Sequence, residues 1–161
     1  MRTSKDLYDA LVAFHKPSEA KVIDITKLRF VMYVRKSTTS DERQERSLSD
    51  QKLDCFDAAK RMGIPESHIT VVEEQESAKE PDIRDEFKKM IEAIKLGKYD
   101  AILTWHPDRL ARNMADAGKI IDLLDKKIIK NLSFATFSFE DTPMGKMLLG
   151  ISFVLSKQYS D

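Results

Sequence analysis

From Arg29 onward, the hydrophobic and polar positions of the chain alternate between a strand pattern and a helix pattern. Apolar runs of strand length occur at 30–34, 69–72 and 101–105 and near 132–137. Between these runs, apolar residues recur three or four positions apart, as on one face of a helix. This order predicts a three-layer α/β fold with a mainly parallel sheet and helices on both faces. In such folds, ligand sites collect in the loops that leave the carboxyl ends of the strands.

Residues that favour helix ends mark two of the predicted helices. Ser47, with Asp50 three residues later, predicts a helix start, and Gly63 predicts the end of the same helix. Thr142 is a residue type that favours the N-cap position of a helix, and Pro143 one that favours the first helical turn. We therefore expect one helix between Ser47 and Gly63 and a long C-terminal helix from about Pro143.

The C-terminal segment is more apolar than one packing face requires. Its hydrophobic side chains point around most of the helix circumference; they are Met144, Met147, Leu148, Leu149, Ile151, Phe153, Val154 and Leu155. A second protein chain would cover this excess and make the segment a dimerisation helix. A central helix in the core of one domain would also account for the pattern.

The N-terminal residues 1–28 differ from the remainder. They form a polar extension in which Leu7, Leu11 and Phe14 have helical spacing, typical of a short amphipathic helix or an arm. Residues 29–161 form the predicted domain, and a chain of 161 residues is long enough for one sizeable core.

Composition narrows the class of protein. Twenty-seven Lys and Arg balance 27 Asp and Glu, so the chain lacks the basic surplus of a stand-alone nucleic-acid-binding domain. We expect any DNA affinity to be local or supplied elsewhere. Neither a membrane-spanning run nor a signal peptide is recognisable, which predicts a cytoplasmic protein with no membrane partner. Cys55, the single cysteine, excludes an internal disulfide or a cysteine-based zinc cluster and is interpreted as a buried thiol.

Three polar clusters follow three of the predicted strands. Arg35 and Ser37, two residues apart, share one face of a strand end. Arg109 and Arg112, three residues apart, would share one face of a helical turn. In chain order, the clusters are Arg35 with Ser37, Ser77 with Arg84, and Asp108 with Arg109 and Arg112.

Arginine clustered around serine indicates phosphate chemistry. The planar guanidinium group is always charged and presents a donor fork that matches phosphoryl oxygens. Positioned cations stabilise the charge that develops during attack on a phosphodiester, so a mechanism without metal or cofactor is chemically sufficient. A serine nucleophile would form a covalent phosphoserine, which keeps the bond energy for later religation by a DNA hydroxyl.

Five motifs in order carry a family resemblance. They are YVRKS, SLSDQ, ESAKEPDIR with the helix FKKMIEAIKLGKYDAIL, HPDRLARN, and TPMGKMLLG, spread over residues 29–161. The set resembles the catalytic domain of the serine site-specific recombinases, the resolvase and invertase family. This resemblance implies a domain that cleaves and rejoins DNA by transesterification through a covalent 5′-phosphoserine.

The resemblance also assigns roles to individual residues. It implies that Ser37 is the nucleophile and that four arginines grip the scissile phosphate, namely Arg35, Arg84, Arg109 and Arg112. It further implies that Gln51 and Ser77 support the site, and that Asp108 orients an arginine or helps to move a proton. Asp85 departs from the pattern, since many relatives have proline after the arginine.

The resemblance extends to partners. It implies that the protein acts on DNA, forms a homodimer through the helix from about Pro143, and forms a tetramer in the synaptic complex. Family members continue beyond the dimer helix into DNA-binding regions, which residues 1–161 do not include. We therefore expect this chain alone to bind DNA weakly and to be weakly active or inactive.

Two other classes of protein fit the same residues. One is a regulatory domain that binds a small phosphorylated ligand through the arginines, and the other is a dimerisation domain without activity.

Individual residues also have structural interpretations. Arg109 and Arg112 could pair with Asp108 and Asp116 at the surface, Gln51 could be a hydrogen-bonding residue at the edge of the core, and a histidine before proline such as His106 is more often structural than catalytic.

Overall fold

The computed structural model describes residues 4–15, 22–37, 46–76 and 84–160. Within these ranges, helices and strands alternate along the chain. The elements are α1 (Ser4–His15), β1 (Phe30–Ser37), α2 (Leu48–Met62), β2 (Ile69–Glu76), α3 (Asp85–Lys95), β3 (Ala101–Thr104), α4 (Pro107–Leu110), α5 (Met114–Asp125), β4 (Asn131–Phe134) and α6 (Pro143–Ser160).

The strands form one parallel sheet in the order β2-β1-β3-β4. β1 is central, with Phe30 in register with Ile69 on one side and with Ala101 on the other. Because all four strands run in the same direction, their carboxyl ends meet at one edge of the sheet. The predicted mainly parallel sheet is confirmed.

Side chains of β1 alternate between two buried clusters on opposite faces of the sheet. Val31 and Tyr33 belong to a buried cluster with residues of α3, α4, α5 and α6, whereas Phe30, Met32 and Val34 belong to a cluster with residues of α2. The prediction of helices on both faces is therefore confirmed. Cys55 lies in the α2 cluster as a buried thiol, as expected from the sequence, and burial raises its pKa to about 12.

The predicted helix-end signals act as expected. The side chain of Ser47 accepts a hydrogen bond of 3.1 Å from the backbone N of Asp50, and Gly63 ends α2 in the left-handed conformation with φ 76°. At the start of α6, Thr142 Oγ1 accepts a hydrogen bond of 3.0 Å from the backbone N of Gly145. These contacts satisfy backbone groups that the helices themselves leave without partners.

One local prediction is wrong. Arg109 and Arg112 do not share a helical face, because α4 ends at Leu110 and Ala111 is extended, with φ −124° and ψ 130°. Asn113 then caps α5, its side chain accepting a hydrogen bond of 2.8 Å from the N of Asp116. Because Ala111 and the N-cap residue Asn113 both have extended backbone, Arg112 between them lies in a loop and not on a helix.

α6 packs on the domain through one side. Leu149 and Phe153 are buried against the sheet cluster, whereas five apolar side chains are 42–50% exposed: Met147, Leu148, Ile151, Val154 and Leu155. α6 is thus a surface helix with an apolar outer face, and α1 lies beside it. In the described part of the chain, no helix combines the length and the apolar character needed to cross a membrane.

Candidate active site

The carboxyl end of β1 places the first polar cluster at the edge where the strands end. Ser37 is the last residue of β1, in register with Glu76 of β2. For Ser37 the structure describes the backbone position, and Ser77 lies outside the described residues. By strand alternation, Tyr33 and Arg35 occupy the same face of β1 as position 37.

Arg35 connects the end of β1 to α4. Its side chain is buried, with 4% of the residue exposed. The guanidinium Nη2 donates a hydrogen bond of 2.6 Å to the carbonyl oxygen of Asp108, and Nε lies 3.4 Å from the carbonyl oxygen of Arg109. Arg35 therefore holds the HPDRL segment against the strand that ends at Ser37.

Gln51, in the first turn of α2, fixes the backbone at the end of β1 and just before α2. Its amide Nε2 donates to the carbonyl oxygens of Arg35 (2.9 Å) and Arg46 (2.8 Å), and its Oε1 accepts from the backbone N of Arg35 (3.3 Å). The side chain is fully buried. These contacts make Gln51 a positioning residue for the end of β1.

Replacing Gln51 with leucine should lower the free energy of unfolding by about 2–3 kcal/mol, because it leaves buried backbone groups of Arg35 and Arg46 without partners. Urea denaturation monitored by circular dichroism measures this change. Gln75→Leu is the matched control, since Gln75 is exposed on β2, and it should change stability by less than about 0.5 kcal/mol. Equal stability of the two variants would contradict the positioning role.

Arg84, at the start of α3, is more deeply enclosed than a surface phosphate contact would require. Only 3% of the residue is exposed. Its Nη2 donates to the carbonyl oxygen of Leu110 (2.7 Å) and to Tyr33 Oη (3.0 Å), and Nη1 donates to Asp116 Oδ2 (2.9 Å). The guanidinium carbon also lies 4.1 Å from the ring centroid of Phe87. In this structure Arg84 joins α3, α4, α5 and β1.

Arg35, on β1, and Arg84, directly before α3, both donate hydrogen bonds to the short helix α4. Arg35 donates to the carbonyls of Asp108 and Arg109, and Arg84 donates to that of Leu110. The last carbonyls of a helix lack intrahelical partners, and cations stabilise the negative end of the helix dipole. The structure therefore brings Arg35, Arg84 and the Asp108–Arg109 pair together at one edge of the sheet.

Sequence reasoning missed the residues that hold Arg84. Tyr33 Oη donates to Glu74 Oε1 (3.1 Å) while it accepts from Arg84. Glu74 also accepts from the backbone N atoms of Glu86 (3.1 Å) and Phe87 (3.0 Å), so it caps the start of α3. Burial raises the pKa of Tyr33, which keeps the phenol neutral and able to donate. The sequence contained one signal, since Tyr33 precedes Arg35 by two residues on the same strand face.

Asp116 has a partner that the sequence did not suggest. The sequence offered a surface pair with Arg109 or Arg112 as one interpretation, and the structure shows an ion pair between Asp116 and Arg84 at 2.9 Å. Arg84 is far away in sequence, so helical spacing on α5 gave no indication of this contact. Because both partners are largely buried, removing one would leave an uncompensated charge.

Asp108 and Arg109 lie side by side on α4. Arg109 is 8% exposed; its Nε is 3.8 Å from Asp108 Oδ1, and its guanidinium carbon is 5.7 Å from the ring centroid of Trp105. Burial acts to raise the pKa of Asp108, but the hydrogen bond with His106 and the positive charges of Arg109, His106 and Arg35 outweigh it and lower this pKa. Asp108 is therefore a carboxylate at neutral pH.

A second network supports the Trp105 ring from α2. The indole Nε1 donates a hydrogen bond of 2.9 Å to Asp54 Oδ2, and Arg46 Nε donates to the same oxygen at 3.3 Å.

Arg112 is half-buried in the loop after α4. In the described ranges, no three His, Cys, Asp or Glu side chains are grouped so as to hold a metal ion.

Comparisons with known proteins address the family and the fold. The family model described as Resolvase, N terminal domain, matches residues 30–161. The N-terminal catalytic domain of TP901-1 integrase has a similar structure, with a TM-score of 0.57 and 19% sequence identity over 81% of this chain and 95% of that one. The C-terminal catalytic domain of ISC1926 TnpA, an IS607-like serine recombinase, has a TM-score of 0.46 and 20% identity over 77% and 78% of the two chains. No curated protein matches the chain.

Proposed function

Since the chain belongs to the resolvase N-terminal domain family, the catalytic domain of the serine site-specific recombinases, we propose that it cleaves and rejoins DNA through Ser37. The observation that carries this assignment of the site is the convergence of Arg35, Arg84 and the Asp108–Arg109 pair at the edge of the sheet where β1 ends at Ser37.

The reaction is a pair of transesterifications. Ser37 Oγ attacks the scissile phosphorus, the bond to the 3′ oxygen breaks, and the 5′ phosphate remains esterified to the serine. In the second step, a 3′ hydroxyl of the recombining strand attacks the phosphoserine, and Ser37 Oγ leaves. The number of phosphodiester bonds is unchanged after both steps, so no external energy source is required.

Arg35 and Arg84 would have to exchange partners to hold the phosphate. In the DNA-free chain they donate to the carbonyls of Asp108, Arg109 and Leu110. A phosphate oxygen carries a negative charge, and hydrogen bonds between ionised partners are roughly twice as strong as those to neutral acceptors. We infer that DNA binding draws these two guanidinium groups away from α4 and onto the scissile phosphate, where Arg109 and Arg112 also bind.

Asp108 fits the role of orienting Arg109 better than that of donating a proton. Its pKa is lowered in spite of burial, so the carboxyl group carries no proton to donate at neutral pH. Its Oδ1 faces Nε of Arg109. Gln51 supports the site by fixing the backbone of Arg35. Ser77 keeps its proposed supporting role on the basis of the family pattern alone.

The experiment for this function is the capture of a protein–DNA adduct. Full-length protein is incubated with a supercoiled plasmid library of genomic fragments from its host, the reaction is stopped with detergent, and DNA-linked protein is isolated and digested. We expect the nucleotide on the peptide that contains Ser37, and we expect no adduct from Ser37→Ala. An adduct on another residue, or an undiminished adduct from Ser37→Ala, would exclude Ser37 as the nucleophile.

Serine recombinases act as oligomers, and we propose that α6 supplies the homodimer contact here, with a tetramer in the synaptic complex. The support is the outer face of α6, which exposes five apolar side chains on one side of the helix. A second copy of the same face would bury them.

Ile151→Glu should therefore weaken self-association, because it puts a charge into the proposed contact. We expect the dimer dissociation constant to rise at least about tenfold, measured by analytical ultracentrifugation. Leu53→Glu is the matched control, since Leu53 is 62% exposed on α2 while Ile151 is 48% exposed on α6. If both variants associate like the wild type, the dimer contact lies elsewhere.

A further inference from the structure

The carboxylate of Asp54, on α2, binds two donors beside the site. Its Oδ2 accepts a hydrogen bond of 2.9 Å from the indole Nε1 of Trp105, and the guanidinium group of Arg46 donates to Oδ2 at 3.3 Å and to Oδ1 at 3.4 Å. The hydrogen bond from Arg46 lowers the pKa of Asp54 more than burial raises it, and the bond from Trp105 lowers it further. The indole therefore donates to a charged oxygen, which makes a stronger hydrogen bond than a neutral acceptor would.

The main chain of Trp105 is held by residues on the other side of β3. Its carbonyl oxygen accepts hydrogen bonds from the backbone N (3.0 Å) and the Oγ1 (2.8 Å) of Thr136, just after β4. The ring packs, partly buried, against the α2 cluster. With the backbone held, the remaining freedom of Trp105 lies in its two side-chain torsions. Since Nε1 is the ring's single polar atom and acts only as a donor, its bond to Asp54 selects one orientation of the ring.

The orientation of the Trp105 ring matters for Arg109. The guanidinium carbon of Arg109 lies 5.7 Å from the ring centroid, within the range of a cation–π contact. The face of an aromatic ring is electrostatically negative and its edge is positive. A rotated indole would therefore turn a less favourable surface toward the guanidinium group, which is enclosed between this ring and Asp108.

We propose that Asp54 is a positioning residue for strand cleavage, whose hydrogen bond to the Trp105 indole holds the ring surface against which Arg109 is oriented toward the scissile phosphate. This proposal rests on the proposed function, because Arg109 is expected to bind that phosphate. It deepens the proposed function by adding a residue of α2 that lies outside the five sequence motifs.

A structural ion pair with Arg46 is the alternative role for Asp54. The side chains of Arg46 and Asp54 are 45% and 31% exposed, and ion pairs at exposed positions contribute little to stability. Two substitutions separate this pair from the indole contact. Asp54→Asn keeps a side-chain oxygen that accepts from the indole but has no charge for Arg46, whereas Asp54→Leu removes both contacts.

Single-turnover formation of the Ser37 adduct tests the proposal in the full-length protein, with a saturating concentration of the DNA fragment recovered by adduct capture. We expect Asp54→Leu to lower the rate about tenfold, because a small misplacement of a group that stabilises the transition state is costly. We expect Asp54→Asn to react within about threefold of the wild-type rate, because the indole keeps its acceptor.

Asp57 provides matched controls on the same helix, since its side chain is exposed. Asp57→Leu and Asp57→Asn remove the same charge and should both react within about twofold of the wild-type rate. An Asp54→Leu variant as fast as Asp57→Leu, or an Asp54→Asn variant as slow as Asp54→Leu, would overturn the proposal. Absence of a Ser37 adduct from the wild type would instead contradict the proposed function.

Trp105→Phe tests whether Asp54 acts through the indole. Phenylalanine keeps a ring beside Arg109 but has no donor for Asp54, so we expect a loss close to that of Asp54→Leu. Because the two substitutions remove the same interaction, combining them should add less than about twofold. Losses that multiply in the double variant would overturn the proposal. If circular dichroism shows that Asp54→Leu is unfolded, Trp105→Phe decides the matter, since a wild-type rate from it would also overturn the proposal.

A measurement without DNA reports the ring directly. Trp105 is the only tryptophan among the 161 residues, so the tryptophan fluorescence of this chain comes from that ring. Quenching by acrylamide should be stronger in Asp54→Leu than in the wild type, and unchanged in Asp54→Asn and Asp57→Leu. Unchanged quenching in folded Asp54→Leu would mean that the hydrogen bond does not hold the ring, which would overturn the proposal.

Discussion

Arg109→Ala should reduce the rate of DNA strand cleavage by about 100-fold or more, the usual loss when one positioned donor to a transition-state charge is removed. Arg109 is largely buried on α4, beside Asp108 and over the Trp105 ring. This enclosure limits the orientations of the guanidinium group, so a lysine with its single point charge should restore little of the rate. Single-turnover adduct formation with a nicked duplex measures the effect.

The control for Arg109 is an arginine outside the site. Arg61, in the last turn of α2, is exposed, and Arg61→Ala should cleave DNA within about twofold of the wild-type rate. Circular dichroism spectra of both variants establish that each is folded. Cleavage by folded Arg109→Ala at the wild-type rate would favour the alternative in which these arginines make only structural ion pairs.

Gly145→Ala should disrupt the attachment of α6 to the domain. A Cβ at this position would overlap the carbonyl oxygen of Glu140 and lie 2.9 Å from its carbonyl carbon. These are backbone atoms, so a change of side-chain rotamer cannot relieve the overlap. Overpacking of this kind typically costs about 1–3 kcal/mol or more. We expect the free energy of unfolding to fall by at least this amount and dimer formation to fall with it.

Gly150→Ala is the matched substitution in the same helix. A Cβ there would meet nothing within 4 Å, and alanine favours the helix over glycine by up to about 1 kcal/mol. This variant should therefore be as stable as the wild type or slightly more stable in urea denaturation. The account of α6 would be wrong if the two alanine variants had the same stability.

The features that follow from local sequence were predictable. The apolar run from Phe30, the cap at Ser47 and the left-handed Gly63 depend on neighbours in the chain, and each has the expected structure. The parallel sheet with helices on both faces followed from the order of these elements.

The contacts of the site residues depend on tertiary structure and were not predictable in the same way. Arg84 binds Tyr33, Asp116 and the Leu110 carbonyl, all distant in sequence. The spacing of Arg109 and Arg112 predicted a shared helical face, but Ala111 is extended and Asn113 caps a new helix. The positions of Arg35, Arg84 and Arg109 after three of the strands indicated that they lie at one edge of the sheet, whereas the packing of α4 determines what they contact.

The most direct test of the account is the structure of the full-length protein trapped on DNA at the cleavage step. We predict that guanidinium nitrogens of Arg35 and Arg84 lie about 2.7–3.2 Å from oxygens of the phosphate linked to Ser37, and that the carbonyls of Asp108 and Leu110 no longer accept from them. A phosphate bound elsewhere, with both arginines still on the α4 carbonyls, would contradict the account.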